Sequence, residues 1–160
     1  TAIPYQLIIL TLGVIISWVV LSRTTYGRAL YAIGNNELAA RFAGIRTGRV
    51  KFIAYTFSGF MAALAGIVFV ARVTTTRSDM GSGMELDVIT AVVLGGTSIF
   101  GGSGSIAGTV LGLILIQTLK NGLLLAGVKG DATIIIIGLV LIAAVLMNNI
   151  FRYAQQRLRV

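Results

Sequence analysis

Two apolar runs, each long enough to cross a bilayer, are separated by a cationic segment at residues 23–51, and this alternation restricts the chain more than any other feature. The first run covers about 3–21 and the second about 52–71. A spanning helix needs roughly 17–25 apolar residues. The segment between them holds Arg23, Arg28, Arg41, Arg46, Arg49 and Lys51 against a single acid, Glu37. Backbone at membrane depth must satisfy its own hydrogen bonds, so apolar runs of this length are read as helices. Charged residues are 11% of the 160 residues, well under the ~25% of a soluble domain. The fold class expected is therefore all-α, a polytopic transmembrane helical bundle. The chain starts at Thr1 almost directly in an apolar run, and it is expected to be the C-terminal part of a longer protein.

Further along, residues 87–100 are apolar but short, about 21 Å as a helix at ~1.5 Å per residue. Gly95, Gly96, Gly101, Gly102 and Gly104 follow or overlap its end. Longer apolar runs then cover 106–126 and 132–150. Residues 87–126 read as a glycine-broken helix pair, either two crossings or a re-entrant hairpin with the short arm as a half-helix. Broken helices line wet or protein-filled space, and they often mark a transport path.

Charge placement sets the expected orientation. Nine of the 13 Lys and Arg residues fall in 23–51 or in the tail, at Arg152, Arg157 and Arg159. Four of the five acids, Asp79, Glu85, Asp87 and Asp131, fall in the other connections. Cationic loops stay cytoplasmic, so loop 22–51 and the C-terminus are expected inside, with 72–87 and 127–131 outside. The formal charge of +8 is distributed as topology signals and not as one basic stripe, so no nucleic-acid partner is expected. The chain has no His and no Cys. No metal site, no catalytic residue and no enzymatic role are expected. No phosphate-cradling G-x-x-x-x-G-K-[ST] run is present either.

Within the cationic segment, residues 36–44 read as a one-to-two-turn helix. Asn35 or Asn36 suits its cap, Glu37 its first turn and Gly44 its end. Leu38 and Phe42 are i, i+4 neighbours on one face. Two readings fit these residues: an interfacial helix dipping into headgroups, or a knob that a cytoplasmic partner grips. Small residues recur elsewhere at helix-packing spacing. Gly59 pairs with Ala63 and Ala62 with Gly66, and Gly104, Gly108 and Gly112 repeat every four residues. Thr97, Ser98, Ser103 and Ser105 line the break with hydroxyls, which either meet a passing polyol or satisfy freed backbone groups. Glu85 and Asp87 are acids at the expected outer mouth. Asp87 reads as a helix-dipole partner, and Glu85 stays open between that role and contact with an external protein. Lys120 reads as a snorkelling side chain.

The run Gly34-Asn35-Asn36-Glu37-Leu38-Ala39-Ala40 with Gly44-Ile45 resembles the cytoplasmic loop of permeases of ATP-binding-cassette importers, in the branch for ribose, other monosaccharides and small polyols. Tyr26-Gly27-Arg28-Ala29, Ser58-Gly59, Glu85-Leu86-Asp87, Gly95-Gly96-Thr97-Ser98, Phe100-Gly101-Gly102 and Gly104 to Gly108 extend the resemblance in order from Tyr26 to about Val145. Leu38 departs from the wider superfamily, where Ala often follows the Glu. The resemblance implies that residues 1–160 are the C-terminal part of one permease domain in a bacterial inner membrane. It implies a coupling helix, Asn36, Glu37, Leu38, Ala39, Ala40, Arg41, Phe42, Gly44 and Ile45, that docks on a separate ATPase subunit. The helix break itself puts the expected translocation path at Gly95, Gly96, Thr97, Ser98, Gly101 and Gly102, and small-residue spacing makes Gly59, Gly66, Gly104, Gly108 and Gly112 the expected packing residues. The partners the resemblance implies are that ATPase, a periplasmic or lipoprotein solute-binding protein, a second permease subunit (identical or different) and membrane lipid. ATP would sit on the partner, and this chain would hold no cofactor. The function expected is import of a small polar solute, a monosaccharide first, by alternating access. The alternatives are a secondary transporter or channel, and a permease for branched-chain amino acids.

Overall fold

The computed structural model describes residues 5–73, 81–128 and 130–157. The side chains of Asp131 and of residues 147–157 are outside that description, as are Arg77, Asp79, Lys129 and Arg159 whole. Among the described residues every regular element is an α-helix: α1 Tyr5–Arg23, α2 Thr25–Asn35, α3 Glu37–Phe42, α4 Thr47–Val73, α5 Met84–Leu94, α6 Ile106–Leu125 and α7 Gly130–Arg157. They form two compact units, Thr1–Met80 and Gly81–Val160. The helices α1, α4 and α6 are long and apolar enough to cross a membrane.

In the first unit, α1 and α4 carry apolar side chains round most of their circumference. Leu7, Ile15, Trp18, Phe52, Phe60 and Ile67 are all exposed within the chain. A helix apolar on all sides is stable in lipid or against other spans, not in water. Trp18 marks the end of α1, with the Arg23 guanidinium 5.7 Å from its ring centroid. This is an interfacial cation–π pair.

Most of the cationic segment is helical, which its charge alone did not show. Thr24 breaks α1 from α2 and caps α2 by accepting the Gly27 N–H at 3.2 Å. Gly27 is required there, because a Cβ would overlap the Leu21 carbonyl. Tyr26 donates its hydroxyl to the Val50 carbonyl at 3.0 Å, tying α2 to α4. Burial pushes the Tyr26 phenol above its usual pKa, so it stays a neutral donor.

The second unit is built round α5, which packs on both α6 and α7. Thr90, Ala91, Val93, Ile116 and Ile137 form its core. The helix expected over 87–100 starts instead at Met84 and stops at Leu94. Its 11 residues give about 16 Å, near half the ~30 Å hydrocarbon thickness. The stop is a Schellman ending. The Gly96 N–H meets the Val93 carbonyl at 2.9 Å and the Thr97 N–H meets the Val92 carbonyl at 3.2 Å, with Gly96 at φ 85°. Residues 97–105 then turn the chain through Gly101 and Gly102, at φ 89° and 79°. These values suit glycine and strain other residues.

Candidate functional site

Two places gather the residues singled out above, one in each unit. In the first, α3 is a short helix closed at both ends. Asn36 Oδ1 accepts the Ala39 N–H at 3.0 Å, and the Asn36 N–H itself ends α2 on the Ala32 carbonyl at 3.1 Å. At the other end Gly44, at φ 82°, donates to the Arg41 carbonyl, and Ile45 donates to the Ala40 carbonyl, both at 3.1 Å. Residue type fixes these ends: an Asn cap and a left-handed glycine stop leave six residues of helix between them.

Its two faces differ sharply. Ala40 is 5% exposed and turns towards the body of the unit, whereas Leu38 is 67% and Phe42 90% exposed on the opposite face. The Glu37 carboxylate meets Lys51 Nζ at 2.6 Å, holding α3 beside the start of α4. Both groups are about half-exposed, so this pair orients more than it stabilises. Of the predicted coupling residues, Asn36, Gly44 and Ile45 therefore build the helix ends, Glu37 and Ala40 seat it, and Leu38 and Phe42 project from it.

In the second unit, the glycines act through contact. A Cβ on Gly112 would overlap the Ala91 carbonyl, and one on Gly108 would overlap the Gly95 carbonyl. Backbone thus lies on backbone where α6 meets α5 and the end of its cap. Gly104, expected on the same helical face, lies before α6 begins and instead accommodates the Thr97 side chain. Gly59 and Gly66 differ from these: an added Cβ at either meets nothing within 4 Å among the described residues. The hydroxyls of the break divide. Ser105 caps α6 by accepting the Gly108 N–H at 3.1 Å. Ser98 is buried, with its N–H on the Ser103 carbonyl at 2.9 Å.

The acids do not sit before the half-helix but within its first turn. Glu85 accepts the Gly83 N–H at 3.1 Å. Asp87 pairs with Lys120 Nζ at 2.5 Å, with side chains 16% and 36% exposed. This corrects the reading of Lys120 as a lone snorkelling side chain and adds to Asp87's dipole role a link between α5 and α6. The two lie 33 positions apart and only the fold joins them. Their opposite charges on neighbouring apolar runs were the available signal. No cluster of ligand-type residues able to hold a metal occurs among the described residues.

The family described as branched-chain amino acid transport system / permease component matches residues 2–145. The chain belongs to that family. It is 44% identical over 147 residues to the ribose import permease protein RbsC of Bacillus subtilis (strain 168), covering 92% of this chain and 46% of that protein. It is 42% identical over 147 residues to the RbsC of Escherichia coli (strain K12), with the same coverage. The autoinducer 2 import system permease protein LsrD of Photorhabdus luminescens is 40% identical over 154 residues, 96% of this chain and 46% of that protein. The chain spans about half the length of the curated relatives it matches. No solved structure matches it significantly. Family membership and three helices able to cross a bilayer make this a multi-pass membrane chain.

Proposed function

We propose that the protein containing this chain is the permease subunit of an ATP-driven importer in a bacterial inner membrane, moving a small polar solute, a monosaccharide first, by alternating access. One observation supports the reading most: α3 is rigidly capped, yet shows Leu38 and Phe42 to solvent from a cationic loop. A helix that spends two large apolar side chains this way is suited to a groove on another protein. The relatives named as ribose and autoinducer 2 importers point to the same class.

In this reading loop 22–51 and the C-terminus face the cytoplasm. A separate ATPase subunit grips α3, and a second permease subunit completes the path. A solute-binding protein delivers sugar from outside. Closure of the ATPase pair on ATP drags α3, and α2 and α4 follow through the Asn36 cap and the Tyr26 and Glu37 contacts. The break at residues 95–105, set on backbone-to-backbone contacts, lines the path. Small residues at such contacts let helices slide with few interlocked side chains. This chain holds no ATP and performs no catalysis.

The branched-chain amino acid alternative shares the family description, but RbsC and LsrD carry other solutes in their names. A gradient-driven transporter calls for ionisable pairs deep in its spans. Asp87 and Lys120 pair near helix ends instead. The test is co-purification and uptake with the full-length protein. Deleting 36–45 is expected to release a stoichiometric P-loop subunit and abolish ATP-dependent ribose uptake while insertion persists. Uptake driven by a proton or sodium gradient without ATP would refute the importer reading.

A further inference from the structure

Beside the Asp87–Lys120 pair, α5, α6 and α7 line an open cleft of about 370 Å³ within the second unit. Small-molecule sites run from roughly 300 to 1,000 Å³, so this one suits a small ligand. Gln117, Asn121 and Thr133 line it together with the ion pair. Among the described residues, neither the Gln117 nor the Asn121 amide is engaged in a hydrogen bond of the fold. Leu124 and Ile134 complete an apolar wall.

We propose that this pocket binds a neutral polyol of monosaccharide size, held by the Gln117 and Asn121 amides against the Asp87–Lys120 pair. The charge balance selects the ligand class. Lys120 is neutralised by Asp87 at 2.5 Å, so the described lining residues offer no net charge to a phosphate, a carboxylate or an ammonium group. Two amides, a carboxylate and an ammonium nonetheless present donors and acceptors together. An acyl chain placed here would leave the two amides without partners at a desolvation cost. A sugar ring meets both halves of the lining, its hydroxyls on the amides and ion pair and its C–H face on Leu124 and Ile134.

Its place in the unit follows from α5 and α6. The pocket sits at the first turn of α5 and the later turns of α6, away from the break at 95–105. Charge asymmetry assigns that end to the outer side. The assignment as a reception site therefore rests on the importer reading, whereas polyol binding itself does not.

The test uses the full-length permease assembled with its ATPase in lipid nanodiscs, without the binding protein. Leu124→Cys reports on the pocket wall, and Leu125→Cys, outside the lining, is the control in the same helix. D-ribose is expected to slow thiol labelling at Leu124→Cys saturably and to leave Leu125→Cys unaffected, with inorganic phosphate protecting neither. Gln117→Leu in the Leu124→Cys background is expected to raise the half-protecting ribose concentration about threefold to tenfold, the loss of one hydrogen bond. No ribose protection, equal protection at Leu125→Cys, equal protection by phosphate, or an unchanged midpoint in Gln117→Leu would each overturn the proposal. Ribose protection in the nanodiscs, with no ATP-driven ribose uptake by cells that carry the complete transporter with its binding protein, would uphold the pocket and sink the importer reading. Uptake without protection would do the reverse.

Discussion

Substituting Gly112 by Ala probes the contact on which the second unit is built. The new Cβ would overlap the Ala91 carbonyl and lie 3.0 Å from the Ala91 carbonyl carbon and 3.1 Å from the Gly95 nitrogen. All three are backbone atoms, so no side chain can rotate away and α5 and α6 must separate. Separation also loosens the buried Ile116 and Thr90 nearby. Gly to Ala inside a helix favours the helix by about 0.5–1 kcal/mol, whereas overpacking costs typically 1–3 kcal/mol. The overlap involves backbone, so the upper part of that cost applies and Gly112→Ala is expected to lose about 1–2 kcal/mol net. Gly66→Ala in α4 meets nothing within 4 Å and keeps the helix-propensity gain alone. The assay is the fraction of full-length protein remaining monodisperse in detergent after graded heating, with ATP-driven uptake measured beside it. Gly112→Ala as heat-stable as Gly66→Ala would show that α5 and α6 do not meet backbone to backbone.

Phe42→Asp is expected to abolish ATPase binding and uptake while the protein still inserts and keeps its melting midpoint, because the ring is 90% exposed and supports nothing within the chain; normal uptake would refute docking through α3. Asn36→Ala removes the cap of α3 and is expected to cost about 1 kcal/mol locally, seen as faster amide exchange at Ala39 and Ala40, with unchanged exchange counting against the cap. Asp87→Asn and Lys120→Met are each expected to destabilise the protein by about 1–3 kcal/mol, between the values for exposed and buried pairs. The double variant should lose less than their sum, and strict additivity by the same heating assay would mean that the pair does not interact. A single cysteine placed at Arg41 is expected to react only with reagent admitted to the cytoplasmic side.

Local chemistry made part of the architecture legible. The bounds of α3 follow from Asn36 and Gly44, because a side-chain cap and a left-handed glycine act over one turn of chain. The spans at 3–21, 52–71 and 106–126 are recognisable because lipid demands unbroken apolar length, and α1, α4 and α6 lie on them. The helix α2 was missed because its packing, with Gly27 and Ile33 buried, lies in a segment whose charges read as a loop. The end of α5 at Leu94, six residues before the last apolar residue of its run, was missed because composition carries no hydrogen bonds, and the Gly96 stop does.

The sequence by itself determined that this chain lies in a membrane as helices, which way charge biases its loops, and which permease family it resembles. Each of these is a property of neighbouring residues meeting lipid or water. Tertiary structure alone decided that Gly108 and Gly112 face α5 while Gly104 does not, and that Asp87 and Lys120 share one pocket. Those facts depend on the rotation and axial offset of one helix against another, which no local run of residues encodes.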